Sequence, residues 1–175
     1  MHYKFLKKYY FIDKFEKSNI DKQDLNTTII YRNYKRKYKI NEILLLKNYC
    51  SSKRLKFLIS NNIKLSIKLD LDGAYLPSFN KDFSHLSFQL KKDFLLIGSA
   101  HNLNEIRIKE KQNVSKIFLS SIFKKNNNFL GIYKFNLISK LSNKEIVALG
   151  GITKDNIKLI YLTNARCFAG ISYFK

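Results

Sequence analysis

Short apolar runs recur along the chain, and a longer polar or amphipathic segment follows nearly every one of them. Continuous apolarity over a few residues is typical of strands buried on both faces, as in parallel sheets. The pattern therefore predicts parallel strands that alternate with helices. The predicted strands are Tyr9–Asp13, Thr27–Arg32, Lys56–Ser60, Gly73–Leu76, Phe94–Gly98, Lys116–Ser120, Ile146–Gly150 and Cys167–Ser172.

Two of the intervening segments show the apolar spacing of a helix. The first is "KINEILLLKNY", in which apolar side chains recur at roughly helical intervals. In the second, Ile157, Ile160 and Tyr161 share one helical face. Thr153 or Asp155 is available as the N-cap of this second helix.

Eight strands predict an α/β fold in which the sheet closes into a (β/α)₈ TIM barrel. An open doubly wound sheet is the alternative, because periodicity alone does not separate the two. The 175 residues, with one proline and no linker-like tract, are expected to form a single domain over residues 1–175. Since only "SYFK" remains at the end of the eighth run, we expect a short barrel whose final helix is truncated or missing. The apolar surface left beside strands one and eight motivates a homodimer as a further expectation.

The basic composition changes this picture little. The formal net charge is +20, but lysine and arginine are scattered along the whole chain. The densest basic run, Tyr31–Lys39, makes nucleic-acid binding a minor alternative, and a positive surface also attracts phosphorylated small molecules. Cys50 and Cys167 form no metal motif and are expected to be reduced thiols of a cytoplasmic protein. No apolar run is long enough to cross a membrane.

A glycine pair stands out in "IVALGGITKDN", because the chain has only six glycines. Gly150 and Gly151 follow the seventh predicted strand and precede a predicted helix. At such a turn the backbone can approach a ligand closely, and unpaired main-chain amides attract an anion. The alternative is a tight turn that needs positive φ and holds no ligand.

Five segments in register then point to a family. The segments "DGAYLPS", "IGSAHNLNEI", "FLSSIF", "VALGGITKDNI" and "ARCFAGISYF" occur in this order. Together they resemble the strand ends of the thiamine phosphate synthase/TenI family, and the resemblance extends back to "YYFID". It implies a (β/α)₈ barrel and an enzyme of thiamine biosynthesis. The implied reaction condenses a hydroxymethylpyrimidine diphosphate with a thiazole phosphate and releases pyrophosphate.

The resemblance also implies roles for particular residues. In such a reaction the leaving pyrophosphate usually needs Mg²⁺ and cationic side chains, because negative charge builds up as the C–O bond breaks. The implied roles are catalytic for Arg32 and Ser99, phosphate-binding for Gly150, Gly151, Ile171 and Ser172, and substrate-binding for Asn61, His101, Ser121 and Lys125. For Ser99 and His101, loop capping is the alternative.

Other positions depart from the family pattern. The expected Mg²⁺ carboxylates after strands three and four are Asn61 and Asn80, and Tyr75 replaces a histidine. A neutral amide is a weaker Mg²⁺ ligand than a carboxylate, and Asp82 is the nearest replacement. The sequence therefore leaves Mg²⁺ binding open. The alternative function is a TenI-like or catalytically impaired relative that binds a thiazole or thiamine phosphate without synthase turnover; the residue at the position of the TenI histidine is Ser121.

Overall fold

Eight parallel strands close into a barrel in the computed structural model, which describes residues 7–175. Each strand pairs with its neighbours in chain order, and β1 pairs with β8. The strands are β1 (Lys8–Ile12), β2 (Thr27–Tyr31), β3 (Lys56–Ser60), β4 (Gly73–Leu76), β5 (Leu95–Ala100), β6 (Lys116–Ser120), β7 (Glu145–Leu149) and β8 (Phe168–Gly170). The predicted barrel is confirmed, and the open sheet is excluded because the register Tyr10↔Gly170 joins the first strand to the last.

Within residues 7–175, five α-helices and two 3₁₀ segments connect these strands, and a third 3₁₀ segment follows β8. The helices are α1 (Lys17–Asp21), α2 (Ile40–Ser52), α3 (Ile63–Lys68), α4 (Leu103–Lys111) and α5 (Gly131–Ser139), and the 3₁₀ segments are Ser84–Ser87, Ile157–Leu162 and Ser172–Phe174. The longest helix, α2, was expected from its apolar spacing, and it buries Ile43, Leu46 and Cys50 against the barrel. No helix within residues 7–175 has the length and apolarity to cross a membrane.

Aromatic side chains fill the barrel interior. Phe11 lies edge-on to Tyr75 with ring centroids 5.1 Å apart, and Phe118 packs against Tyr9 at 4.8 Å. All four residues are buried in one cluster with inward-facing aliphatic residues such as Ile30. A ligand therefore has room only above this layer, at the mouth of the barrel.

The segment after β7 corrects one prediction. It forms a 3₁₀ helix over Ile157–Leu162 instead of an α-helix, and neither Thr153 nor Asp155 caps it with a side-chain hydrogen bond. Instead, the Asn156 side chain accepts a hydrogen bond from the Thr153 N–H and donates one to the Gly151 carbonyl. The short helix begins six residues beyond the glycine pair, so its N-terminus is not available to an anion held there.

The segment after β8 is a single 3₁₀ turn over Ser172–Phe174. Phe174 is only 5% exposed and stacks on Tyr10 of β1 with ring centroids 4.8 Å apart. It also stacks on Phe168 of β8. One aromatic side chain thus covers part of the apolar surface beside β1 and β8 that motivated the expected homodimer.

Candidate functional site

A cavity of about 500 Å³ opens at the carboxyl ends of β1, β2 and β8. Phe11 and Ile12 of β1 line it, and Ile171 lines the side next to β8. Its charged lining residues are Asp13, Lys14, Glu16, Arg32, Lys35 and Lys175. Lys14 and Glu16 form an ion pair. Most of the unpaired positive charge around the cavity therefore comes from Arg32, Lys35 and Lys175.

Arg32 is held at the rim of this cavity by its backbone and by an aromatic ring. Its N–H donates to the Ile12 carbonyl at 2.7 Å, which continues the β1–β2 ladder by one residue. Its guanidinium lies 4.3 Å from the centroid of the Phe11 ring, a cation–π distance. None of the ion pairs among residues 7–175 involves Arg32. The guanidinium is therefore oriented but keeps its charge for an anionic ligand.

Ser99 lies deeper in the barrel and is tied to Tyr75. The Tyr75 hydroxyl donates to Ser99 Oγ at 2.7 Å, and both side chains are buried. Burial raises the pKa of Tyr75 to about 12, although Ser99 and the nearby Arg32 act in the opposite direction. Tyr75 thus stays protonated at neutral pH and donates to Ser99, while Arg32 is near enough to affect its pKa. Sequence reasoning treated Tyr75 only as a departure from the family and missed this contact.

The glycine pair lies against the loop that follows β6. Both residues have positive φ, 103° at Gly150 and 76° at Gly151, as the predicted turn requires. The Gly150 carbonyl accepts from the N–H of Phe123, and a Cβ at Gly151 would lie 2.4 Å from the Lys124 nitrogen. The backbone at the glycine pair is thus closely approached by the loop after β6, and its contact with a ligand stays a prediction.

Of the predicted site residues, Arg32 and Ile171 line the 500 Å³ cavity and the others do not; three of these others lie at the end of β6 or in the loop after it, or contact that end. The ring of His101 has Nδ1 3.0 Å from both the carbonyl and the hydroxyl oxygen of Ser120. The hydroxyl of Ser121 donates to the Lys124 carbonyl at 2.9 Å, so it is used inside its own loop. Lys125 is exposed in the same loop.

Asn61 lies in a second, smaller cavity of about 280 Å³ at the ends of β3 and β4. Its Oδ1 accepts a hydrogen bond of 2.7 Å from Nδ2 of Asn80, so the two amides that replace the expected carboxylates bind each other. Asp82 does not compensate, because its carboxylate accepts from the N–H and hydroxyl of Ser84, which lowers its pKa.

This donor set does not fit Mg²⁺, which the synthase family generally requires. Mg²⁺ is held in proteins mainly by carboxylate oxygens and phosphates. Here the two positions are neutral amides, and the neighbouring carboxylate is already hydrogen-bonded. Within residues 7–175, no group of three or more His, Cys, Asp or Glu side chains is placed to hold a metal ion.

The chain is similar to proteins described as thiamine-phosphate synthases. It is 31% identical over 121 residues to the putative thiamine-phosphate synthase 2 of Aquifex aeolicus, an alignment that covers 67% of this chain and 64% of the relative. It is 25% identical over 152 residues to the thiamine-phosphate synthase of Persephonella marina, covering 83% of this chain and 73% of the relative. With the thiamine-phosphate synthase of Methanococcus vannielii the match spans 58% of the relative's length.

A solved structure and a family model agree with these relatives. The thiamine phosphate pyrophosphorylase from Pyrococcus furiosus superposes with a TM-score of 0.77 over 95% of this chain and 85% of that chain. At 20% identity this likeness shows the barrel fold. The family model described as thiamine monophosphate synthase matches residues 22–174. Since that match covers most of the sequence, the chain belongs to the thiamine monophosphate synthase family.

Proposed function

We propose that the protein is a thiamine phosphate synthase-like transferase. It condenses a hydroxymethylpyrimidine diphosphate with a thiazole phosphate: the thiazole nitrogen attacks the pyrimidine methylene carbon, the C–O bond breaks, and pyrophosphate leaves with the bonding electrons. The observation that carries the proposal is the unneutralised guanidinium of Arg32, held 4.3 Å from the Phe11 ring on a cavity of about 500 Å³.

Arg32 is suited to the diphosphate of the first substrate. As the C–O bond breaks, negative charge grows on the leaving pyrophosphate, and a fixed cation lowers the energy of that transition state. Lys35 and Lys175 line the same cavity and add positive potential around it. The Phe11 ring supplies an apolar surface on which a pyrimidine can pack.

Ser99 supports Arg32 from below. Its Oγ accepts from Tyr75, so its own proton remains available to donate to a diphosphate oxygen. Because Ser99 Oγ is bound by the buried Tyr75 hydroxyl, we assign Ser99 a contact that requires the Tyr75 ring to turn aside when the substrate binds.

The phosphate of the thiazole is assigned to the turns after β7 and β8. The register Leu149↔Ala169 makes these turns neighbours, and adjacent strands lie about 4.8 Å apart. Among the described residues, no protein acceptor is bonded to the N–H of Gly151 or of Ile171. Main-chain amides that have no internal partner at adjacent turns support a phosphate site made by Gly150, Gly151, Ile171 and Ser172.

The remaining assignments stay predictions. Asn61 and His101 lie at the carboxyl ends of β3 and β5, on the same side of the barrel as Arg32. Ser121 and Lys125 require the loop after β6 to rearrange before either contacts a substrate, because the Ser121 hydroxyl is bound within that loop. The free, buried thiols of Cys50 and Cys167 support a reducing cytoplasmic location.

The test is a steady-state assay of the purified protein with both substrates, combined with titration calorimetry of the thiazole phosphate alone. Formation of thiamine phosphate with equimolar pyrophosphate is the expected result. Folded protein that forms no product but still binds the thiazole phosphate would replace the proposal with the impaired-relative alternative. Folded protein that neither turns over nor binds would exclude both.

A further inference from the structure

Lys109 of α4 is a fully buried lysine outside the proposed substrate site. Its exposed fraction is 0%, and its ammonium donates to the Asn80 carbonyl at 2.7 Å and to Gln112 Oε1 at 2.8 Å. Its methylene stem passes over β5, where a Cβ on Gly98 would come within 2.7 Å of Lys109 Cδ. A lysine fits in this position because residue 98 has no side chain.

Gln112 extends this contact into a network. Its Nε2 donates to Asn80 Oδ1 at 3.1 Å and to the Asp82 carbonyl at 2.8 Å, while its own carbonyl lies 2.8 Å from Nε2 of His85. Asn80 in turn donates to Asn61 at 2.7 Å. An unbroken set of hydrogen bonds thus joins α4, the loop after β4 and the end of β3.

A buried ammonium is costly unless acceptors replace its water. Here oxygens of Asn80 and Gln112 do so, and burial lowers the pKa of Lys109 to about 8, so the side chain is still charged at neutral pH. The loop after β4 therefore already has a cation bound to one of its oxygens. The side-chain amide of Asn80 in this loop is also hydrogen-bonded to the side chain of Asn61.

We propose that the ammonium of Lys109, instead of a divalent cation, organises the loop after β4, and that this end of the barrel carries no Mg²⁺ site. Lys109 is then a positioning residue: it holds Asn80, and through Asn80 the side chain of Asn61, without touching substrate. A catalytic consequence is that the phosphorylated substrates bind without protein-bound Mg²⁺, and this consequence rests on the proposed function. The role of Lys109 in holding the loop does not depend on the proposed function.

The first experiment asks whether the ion binds, with Mn²⁺ as an electron-paramagnetic probe of the ligand-free protein. We expect no stoichiometric binding to the wild type at submillimolar Mn²⁺ and one bound ion in N61D/N80D, which places two carboxylates at the positions of the paired amides. A bound ion in the wild type would overturn the proposal. So would a folded N61D/N80D protein that binds none, because the amides would then not be the reason for exclusion.

The second experiment asks what holds the loop, by hydrogen exchange of the amides of residues 80–84. Loss of one charge-assisted hydrogen bond in Lys109→Met is expected to accelerate exchange there on the order of tenfold. The matched control is Lys111→Met, because Lys111 lies on the same helix and is exposed. Lys109→Gln, which removes the ammonium but keeps a polar side chain, serves if Lys109→Met does not fold. Unchanged exchange in both folded variants would refute the role of Lys109.

A readout specific to the cation separates positioning from general stability. Exchange of residues 80–84 in the wild type should be the same in EDTA and in millimolar Mg²⁺. Protection of this loop by Mg²⁺ would contradict the proposal. None of these measurements needs turnover, so an inactive protein would refute the proposed function while leaving this inference to be decided by Mn²⁺ binding and exchange.

Discussion

At the scale of single residues, Arg32 combines a fixed backbone with a cation that no carboxylate neutralises. Arg32→Ala removes this charge from the cavity and is expected to lower kcat/KM by about a hundredfold, the usual effect of deleting one transition-state donor. Lys37→Ala is the control, because Lys37 is exposed in the same loop and does not line the cavity. Steady-state kinetics of the two variants decide the prediction. Equal losses in both would mean that the general positive field, and not Arg32 itself, is what matters.

Tyr75 is the buried partner of Ser99 in the aromatic layer of the barrel. Tyr75→Phe keeps the ring in the aromatic layer but removes the hydroxyl that donates to Ser99. We expect the free energy of unfolding to fall by about 1 kcal/mol, the net value of one buried hydrogen bond. Urea denaturation measures it, with Tyr133→Phe as the control because that side chain is 79% exposed. A stability equal to that of the wild type would show that Ser99 finds another partner.

At the scale of elements, the turn after β7 depends on contact with the loop after β6. Gly151→Ala places a methyl group 2.4 Å from the Lys124 nitrogen, at a φ of 76° that side chains disfavour. We expect this substitution to lower the free energy of unfolding by more than about 1 kcal/mol. A thermal denaturation experiment measures the loss. Gly170→Ala is the matched control in the neighbouring strand, since its added Cβ would have no atom within 4 Å. A milder effect at Gly151 than at Gly170 would contradict the close packing of the two loops.

The elements also show what a sequence can and cannot specify. The strands were predicted to within two residues at nearly all their ends, because apolar runs are local and each strand is buried on both faces. The helix after β7 was predicted as α-helical because Ile157 and Ile160 share a spacing that a 3₁₀ turn also accommodates. The partners of Lys109 and the packing of Gly151 on Lys124 depend on contacts between distant segments, which no local pattern contains.

At the scale of the whole molecule, the two cysteines report on the folded state. Burial raises the pKa of Cys50 from 9.0 to about 12, and burial together with Glu145 raises that of Cys167 to about 11. In the unfolded chain these thiols ionise near 9.0, while the folded protein retains their protons. As the pH rises, loss of these protons therefore stabilises the unfolded state before it stabilises the folded state. The free energy of unfolding should decrease as the pH rises above 9.0.

This pH dependence is measured by comparing urea denaturation of the wild type and of Cys50→Ala from neutral to alkaline pH. The variant should lose less stability over that range, because it lacks one of the two thiols that ionise on unfolding. The thiols of the native wild type should also react slowly with iodoacetamide near neutral pH, where almost no thiolate is present. Rapid alkylation of folded protein would show that local opening exposes them.

The contact between the loops after β6 and β7 has a consequence for affinity. Because Gly150 and Gly151 rest on the backbone of residues 121–124, neither segment can fluctuate widely without displacing the other. An anion bound at the Gly151 amide would reduce the motion of both segments at once. The protein would then lose less conformational entropy when a second ligand binds to Lys124 or Lys125. The two substrates would then help each other to bind through the protein, in addition to any contact between them.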